Sequence, residues 1–341
     1  MENLVANFTV VQLHPTSIEF FPKICDYSHM HLPKLPYKKL FYFVIVFLTI
    51  GITSNSFSQD KKLPDHNQHN NRTLRFGHAT GENPAIIFGK YSKLLDYLSK
   101  KLKRKIVFIQ QKTYEDTQEA FLNGEIDMGI LNAFSYINIS HSNKIIPIAA
   151  RVKRNSRTYQ TFIIVRRNSK IKNYKDLIGK KFAFGDPFST SSNLMPRILL
   201  FQHGINPERD FKKTYTIKKQ DSIIFAILNK TVDAGAIASF IFNEYDPRVT
   251  ARLKIIARSI KFPLGPFVAR RALGKKLIGE ITKILLNMDK NKEGIEALHR
   301  AELDRFEVVS DSDYNPVRHM WEQYKMFVQE ESTILKKKRQ K

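Results

Sequence analysis

Cysteine is almost missing from this chain. The only one among 341 residues is Cys25, so everything downstream lacks both a disulfide framework and a catalytic thiol. Acid is also short: Asp+Glu total 32 against 56 Lys+Arg, a net charge of +24. Such a balance favours anionic partners, from nucleic acid and lipid headgroups to small oxyanions, without choosing among them. Further absences narrow the choice. No zinc-ligand spacing or nucleic-acid signature accompanies the basic residues. There is no Gly-x-Ser-x-Gly elbow and no Walker lysine. No histidine stands beside a recognisable acidic or nucleophilic motif, so an enzyme lacks its usual machinery. The basic clusters at 100–105, 151–157 and 336–341 read as solvated faces or a tail. His66 and His69 lie in a polar stretch without partner ligands at useful spacing, so that stretch reads as a linker. Neither a cofactor nor a metal is expected.

The N-terminal region sets the compartment. Leu40 to Ile52 is an uncharged run of 13 residues, short for a bilayer span and right for a signal peptide. Lys38-Lys39 precede it as a basic region, and Ser54 to Ser58 follow as a small polar one. Ser56 and Ser58 suit cleavage after Ser58; the alternative is an uncleaved membrane anchor. Because 37 residues precede Lys38, Met30 is the expected true start. An exported, cysteine-free mature chain of this length, with room for two lobes, suits a bacterial periplasm.

Strands and helices alternate through the body. Leu74 to Gly77 and Ile106 to Ile109 read as strands, Ala85 to Leu102 as a helix. Glu115 to Leu122 is a second helix, stopped by Asn123-Gly124. Ile126 to Leu131 is a buried-type strand, with a helix from Ala133. This alternation predicts an α/β lobe with a largely parallel sheet. Thr231 to Ile237 repeats the acidic–small–apolar pattern of Glu125 to Leu131, as two lobes of like topology would.

The most informative stretch is Phe182 to Arg197. Lys181 to Phe184 alternates as a strand, and Gly185-Asp186-Pro187 breaks it. Ser189, Thr190, Ser191 and Ser192 then lead into an apolar helix, Leu194 to Phe201. Hydroxyls there cap orphan N–H groups, and those N–H groups with the helix dipole make an anion site. A capped helix without a ligand is the plainer reading. Pro196 removes an early donor, so the helix starts near Ser192 or its first turns are bent.

Asp186-Pro187-Phe188-Ser189-Thr190-Ser191 with Leu194-Met195-Pro196-Arg197 resembles the Asp-Pro-x-Ser-Thr-Ser-Gly…Pro-Arg motif of the phosphonate-, phosphite- and phosphate-binding receptors of ABC importers. Ser192 stands where the family usually has Gly. Gly124 to Gly129 and Asn132-Ala133-Phe134-Ser135-Tyr136 resemble its Gly-x-Val-Asp-x-Ala…Gly-Pro-Phe-Ser-Tyr, with Asn132-Ala133 replacing Gly-Pro. Pro263 to Val268 resembles its Pro-x-Gly-Pro-Phe-Val crossover. Asp311 to Arg318 resembles its closing Asp-Ser-Asp-Tyr-Asp-Pro-Val-Arg. The likeness runs from about Leu74 to about Arg318.

That resemblance implies the two-lobed α/β fold of type II periplasmic binding proteins, with two crossover strands and a ligand cleft. Lobe 1 would be 73–161 with 262–325, and lobe 2 would be 162–261. Residues 1–58 would be an extension with the signal peptide, 59–72 a linker, and 326–341 a basic tail. Hinges are expected near Thr161 to Val165 and Arg258 to Phe262. The implied ligands of the oxyanion are Ser189, Thr190 and Ser191, with phenols from Tyr114, Tyr159 and Tyr136. Asp221 would face the organic or hydrogen side. Each tyrosine has a half-buried core residue as its alternative, and Asp221 a helix cap. The implied function is a periplasmic receptor, neither an enzyme nor a nucleic-acid binder, that delivers a phosphorus oxyanion (phosphonate, phosphite or phosphate) to an ABC permease as a monomer. A receptor reporting to a membrane sensor is the alternative, and an enzyme acting on a phosphorylated small molecule a more distant one.

Overall fold

Two mixed sheets, each flanked by helices on both faces, share the chain. The computed structural model describes residues 72–78 and 84–339, all within one compact unit. The expected signal peptide, its cleavage site, Met30, Cys25 and the linker histidines lie outside the described residues.

The first sheet runs in spatial order Arg305–Glu307, Ile145–Val152, Phe267–Arg270, Met128–Ile130, Leu74–His78, Ile106–Ile109. Its last three strands are parallel, as helical connections require, while Phe267–Arg270 enters antiparallel between Met128–Ile130 and Ile145–Val152. The second sheet runs Leu253–Arg258, Thr161–Arg166, Ala234–Ala238, Lys181–Phe184, Lys213–Thr216. Here too one half is parallel and one antiparallel. The expectation of a largely parallel sheet therefore needs correcting. A strand that returns from the other lobe comes in reversed, so each crossover makes antiparallel pairs.

The lobes are joined by a two-stranded ribbon, Thr158–Tyr159 against Phe262–Pro263. Thr161–Arg166 is already hydrogen-bonded on both sides within the second sheet. The ribbon overlaps the expected hinge at Phe262, while Thr158–Tyr159 lie just before the other expected stretch, Thr161 to Val165. Beside the ribbon, a Cβ on Gly265 would stand 1.8 Å from the Leu131 carbonyl oxygen. Only glycine lets the second crossover pass so close.

Both lobes repeat one local design. Asp127 Oδ2 accepts from Arg75 N (3.0 Å), and Asp127 N donates back to Arg75 O (2.9 Å). Asp233 Oδ2 accepts from Lys181 N (3.0 Å), and Asp233 N donates back to Lys181 O (2.9 Å). In each lobe the acid ties its first parallel strand to the middle one. Asp127 is the deeper of the two, 1% exposed, and receives Arg75 Nε (2.9 Å) and Nη2 (2.8 Å).

The predicted basic tail is instead the continuation of one helix, Asn315–Arg339. Its aromatic residues bridge the lobes. Trp321 lies on Phe134 of lobe 1, ring centroids 4.9 Å apart, while Tyr324 and Phe327 lie on Phe201 of lobe 2 at 5.7 and 5.8 Å. Residue 326 is consequently not a boundary. Among the described residues no helix is long and apolar enough to cross a membrane.

Removing one partner of a buried ion pair strands the other charge. Asp127→Ala should lower unfolding free energy by about 3 kcal/mol, the low end of that class because Arg75 keeps some solvent. Urea denaturation followed by circular dichroism measures this, and a loss under about 1 kcal/mol would show the pair to be dispensable.

Candidate functional site

The loop between Phe184 and Met195 is determined by its own polar groups. Gly185 N donates to Ser192 O (2.7 Å), and Ser189 N to Asp186 O (2.8 Å). Ser189 Oγ accepts from Ser192 N (3.2 Å) and from Ser192 Oγ (2.7 Å). Thr190–Leu194 then forms one π-helical turn, with Leu194 N donating to Ser189 O (3.0 Å), before the α-helix Met195–Gln202 begins. The bend anticipated from Pro196 is this wide turn, and Pro196 sits in the first turn of the helix, where a missing N–H costs little. Ser192, in the family's glycine position, turns onto Ser189. It stands so near Gly185 that a Cβ there would lie 1.8 Å from Ser192 Oγ.

Two helix N-termini of lobe 1 converge on this loop. The helix Ala133–Ser140 is capped by Asn132, whose Oδ1 accepts from Ser135 N (2.9 Å). Thr190 Oγ1 donates to the same Oδ1 (2.8 Å) and accepts from Phe134 N (2.9 Å). The helix Tyr114–Asn123 starts at a capping box between Thr113 and Asp116. The Tyr114 backbone N–H bonds the carboxylate of Asp186, which also accepts from Phe188 N (2.9 Å). Burial raises the Asp186 pKa, and these N–H groups act against that rise. Negative or oxygen-rich groups are favoured at such helix ends.

Below the loop lies a cavity of about 70 Å³ between the lobes. Ser189, Ser191, Tyr114 and Tyr159 line one part of it, together with Asn132 and Gln220. Burial pushes the Tyr159 phenol up to about 12, against the pull of the facing Ser191 hydroxyl and of Arg151. The phenol therefore stays protonated and can donate a hydrogen bond. The wall also carries His78, Lys90, Arg151, Lys153 and Glu302. Lys153 Nζ reaches Glu244 of lobe 2 (2.7 Å) and Glu302 of lobe 1 (3.0 Å), and closes the cleft on that side.

Three expected site residues are not in the cavity wall. Thr190 is fully buried and spends its hydroxyl on Asn132 and Phe134. Tyr136 points to the other face of lobe 1, where its hydroxyl donates to Asp311, itself paired with Arg318. Burial first, then Asp311, raises its pKa. Asp221 is half-buried in the first turn of the helix Gln220–Leu228, and its neighbour Gln220 faces the cavity instead, with Oε1 accepting from Ala238 N (2.7 Å). Arg151 and Lys153 correct the reading of 151–157 as a solvated face. They continue the strand Ile145–Val152, which the sequence reading passed over, and period-two alternation puts both on one side.

Comparison with known proteins gives a consistent picture. Residues 76–314 match the family model described as "ABC transporter, phosphonate, periplasmic substrate-binding protein". The chain is 26% identical to the phosphate-import protein PhnD of Mycolicibacterium smegmatis, over 73% of this chain and 84% of that protein. It is 25% identical to the phosphonates-binding periplasmic protein of Escherichia coli, over 75% and 78% respectively. PhnD1 of Prochlorococcus marinus, solved in complex with methylphosphonate, superposes with a TM-score of 0.68 at 22% identity, over 74% of this chain and 97% of that one.

The hydroxyls that cap and those that face the cavity should separate by stability. Ser189→Ala removes an N-cap acceptor and should cost about 1 kcal/mol. Ser191→Ala should cost less than half of that. Thermal and urea unfolding of both variants read the difference, and equal losses would contradict the division of labour.

Proposed function

The chain belongs to the family of periplasmic substrate-binding proteins of phosphonate ABC transporters, and from that premise we propose that it captures a small phosphorus oxyanion between its lobes. The oxyanion is a phosphonate, phosphite or phosphate, delivered to an inner-membrane ABC permease by a monomeric, exported receptor. One observation carries the reading: hydroxyl, phenol and amide groups from both lobes line a single cavity beneath two helix N-termini. The relatives support the ligand class, since they are named for phosphate or phosphonates and one is solved with methylphosphonate.

The mechanism follows from desolvation. An oxyanion entering the cleft loses its water, and each lost hydrogen bond needs a protein donor. Ser189 and Ser191 supply hydroxyls from lobe 2, and Tyr114 a phenol from lobe 1. Tyr159, on the connecting ribbon, adds a phenol that stays protonated. Donors from both sides make closure and binding one event, with the ribbon Thr158–Tyr159/Phe262–Pro263 as the flexing part. Asp221 and Tyr136 have no direct part in this scheme. Thr190 acts through the lobe contact with Asn132 and Phe134.

A hydrogen bond to a charged group contributes about 1.5–3 kcal/mol, which is about 10- to 150-fold in affinity. Ser191→Ala should therefore weaken the tightest binder among phosphate, phosphite and methylphosphonate by about tenfold or more. Titration calorimetry on ligand-stripped protein, with sulfate as a control, makes the measurement. Unchanged affinity in Ser191→Ala, or no binding of any phosphorus oxyanion, would overturn the assignment.

A second prediction concerns closure. Small-angle scattering with a saturating oxyanion should show a radius of gyration no larger than without it. Thr190→Val, which deletes the hydroxyl shared by Asn132 and Phe134, should enlarge the unliganded particle. An identical profile for wild type and variant would show that this contact does not hold the lobes together.

A further inference from the structure

The same cavity also has charged and titratable groups on its wall. Its wall holds His78, Lys90, Arg151, Lys153 and Glu302. Both ring nitrogens of His78 are buried and without a hydrogen-bond partner among the described residues. The ring is held against Tyr91, centroids 4.8 Å apart. Burial first, then Arg151 and Lys90, lower its pKa well below the usual histidine value, so the imidazole is neutral and offers one N–H donor. A buried polar group left in this state is uncommon and calls for a partner.

The charges beside it do not cancel. Lys90 reaches Glu302 at 2.9 Å, and Lys153 reaches Glu302 and Glu244 at 3.0 and 2.7 Å. Burial acts to raise the Glu302 pKa, but Lys153 and Lys90 outweigh it and hold it below the usual carboxylate range. Arg151 has no ion pair among the described residues; its Nε donates to the Gly265 carbonyl (2.8 Å), which fixes the guanidinium at the cavity wall. With Arg154 also reaching Glu244 (3.6 Å), four cations thus meet two carboxylates, and Arg151 lies beside the imidazole without an ion pair of its own among the described residues.

We propose that His78, Lys90, Arg151 and Lys153 form a second subsite for a carboxylate or other anionic group carried by the same ligand. The receptor then selects phosphorus oxyanions with a second negative group over those with an amine. This rests on the oxyanion reading of the hydroxyl end and extends it. Charge decides which substituent. An ammonium group would face three cations, and the one carboxylate in the wall is already held by Lys90 and Lys153. A carboxylate would pair with Arg151 and accept from the His78 ring.

Titration calorimetry of the ligand-stripped protein with phosphonoacetate, methylphosphonate and 2-aminoethylphosphonate tests this. Phosphonoacetate should bind about 10- to 100-fold tighter than methylphosphonate, and 2-aminoethylphosphonate more weakly than either. The readout in variants is the ratio of phosphonoacetate to methylphosphonate affinity, which a general loss of binding does not move. Arg151→Gln and His78→Phe should each bring that ratio toward one, and melting temperatures identify a variant that has merely lost its fold. If the wild type binds methylphosphonate and phosphonoacetate equally, or prefers 2-aminoethylphosphonate, the subsite is overturned while the receptor reading stands. A ratio that survives in both variants overturns the residue assignment. If none of the three compounds binds, the subsite falls, and titration with phosphate and phosphite decides the receptor reading separately.

Discussion

One hydroxyl holds the two lobes in register. Thr190 donates to the Asn132 side chain and accepts from the Phe134 backbone, so a lobe 2 side chain completes the N-terminus of a lobe 1 helix. The bond from Phe134 is buried and the one to Asn132 partly so, and an unmade buried hydrogen bond costs more than a made one gains. The surrounding geometry serves this contact. The π-helical turn Thr190–Leu194 widens the helix start, and leaves Ser189 to cap that start from one side while Ser191 faces the Tyr159 phenol on the other. Asn132, where the resembled motif has glycine, supplies the acceptor. A departure from the family motif is here the partner of a residue that keeps to it.

The lobes are equivalent below this level. Asp127 and Asp233 make the same pair of bonds, carboxylate to strand N–H and backbone N–H to strand carbonyl. Each fixes the register between its first parallel strand and the middle one. Register matters because a one-residue slip would turn every side chain to the opposite face. In lobe 1 the same middle strand leads directly to Asn132, and in lobe 2 the strand Ala234–Ala238 ends beside Gln220, through Ala238 N. Both cavity amides are therefore placed by the ends of the strands that the acids anchor, the position where open α/β sheets gather ligands.

Much of this was legible in the sequence, for identifiable reasons. Ile106–Ile109 and Lys181–Phe184 are bounded by strong turn or charge signals, and the structure has strands over the same residues. The echo between Glu125–Leu131 and Thr231–Ile237 was visible because buried parallel strands read as short apolar runs after an acid. Ile145–Val152 was missed because Pro147 interrupts it and basic residues follow, so its period of two was hidden. With it went Arg151 and Lys153. Tyr136 was misplaced because a helix shows its neighbours along the chain but not which face meets the cleft; the bond to Asp311 spans 175 positions. Asp221 and Gln220 differ by one residue, a rotation of about 100° on a helix, and no motif resolves that.

On the reading proposed here, the cavity would join two ways of binding an anion. At the hydroxyl end the donors are neutral, so they recognise the number and direction of oxygen lone pairs and are little affected by the protein's overall charge. At the other end the groups are charged, and attraction there grows as water leaves. Neutral donors give selectivity among oxyanions, because an incorrect shape leaves a buried donor unpaired. Charged groups give selectivity by sign. Lys153 belongs to both closure and charge, since its bond to Glu244 crosses between the lobes while its bond to Glu302 stays within one. Closing the cleft removes water from the charged end and the hydroxyl end together. The same motion that completes the hydrogen bonds therefore also sharpens the electrostatic choice.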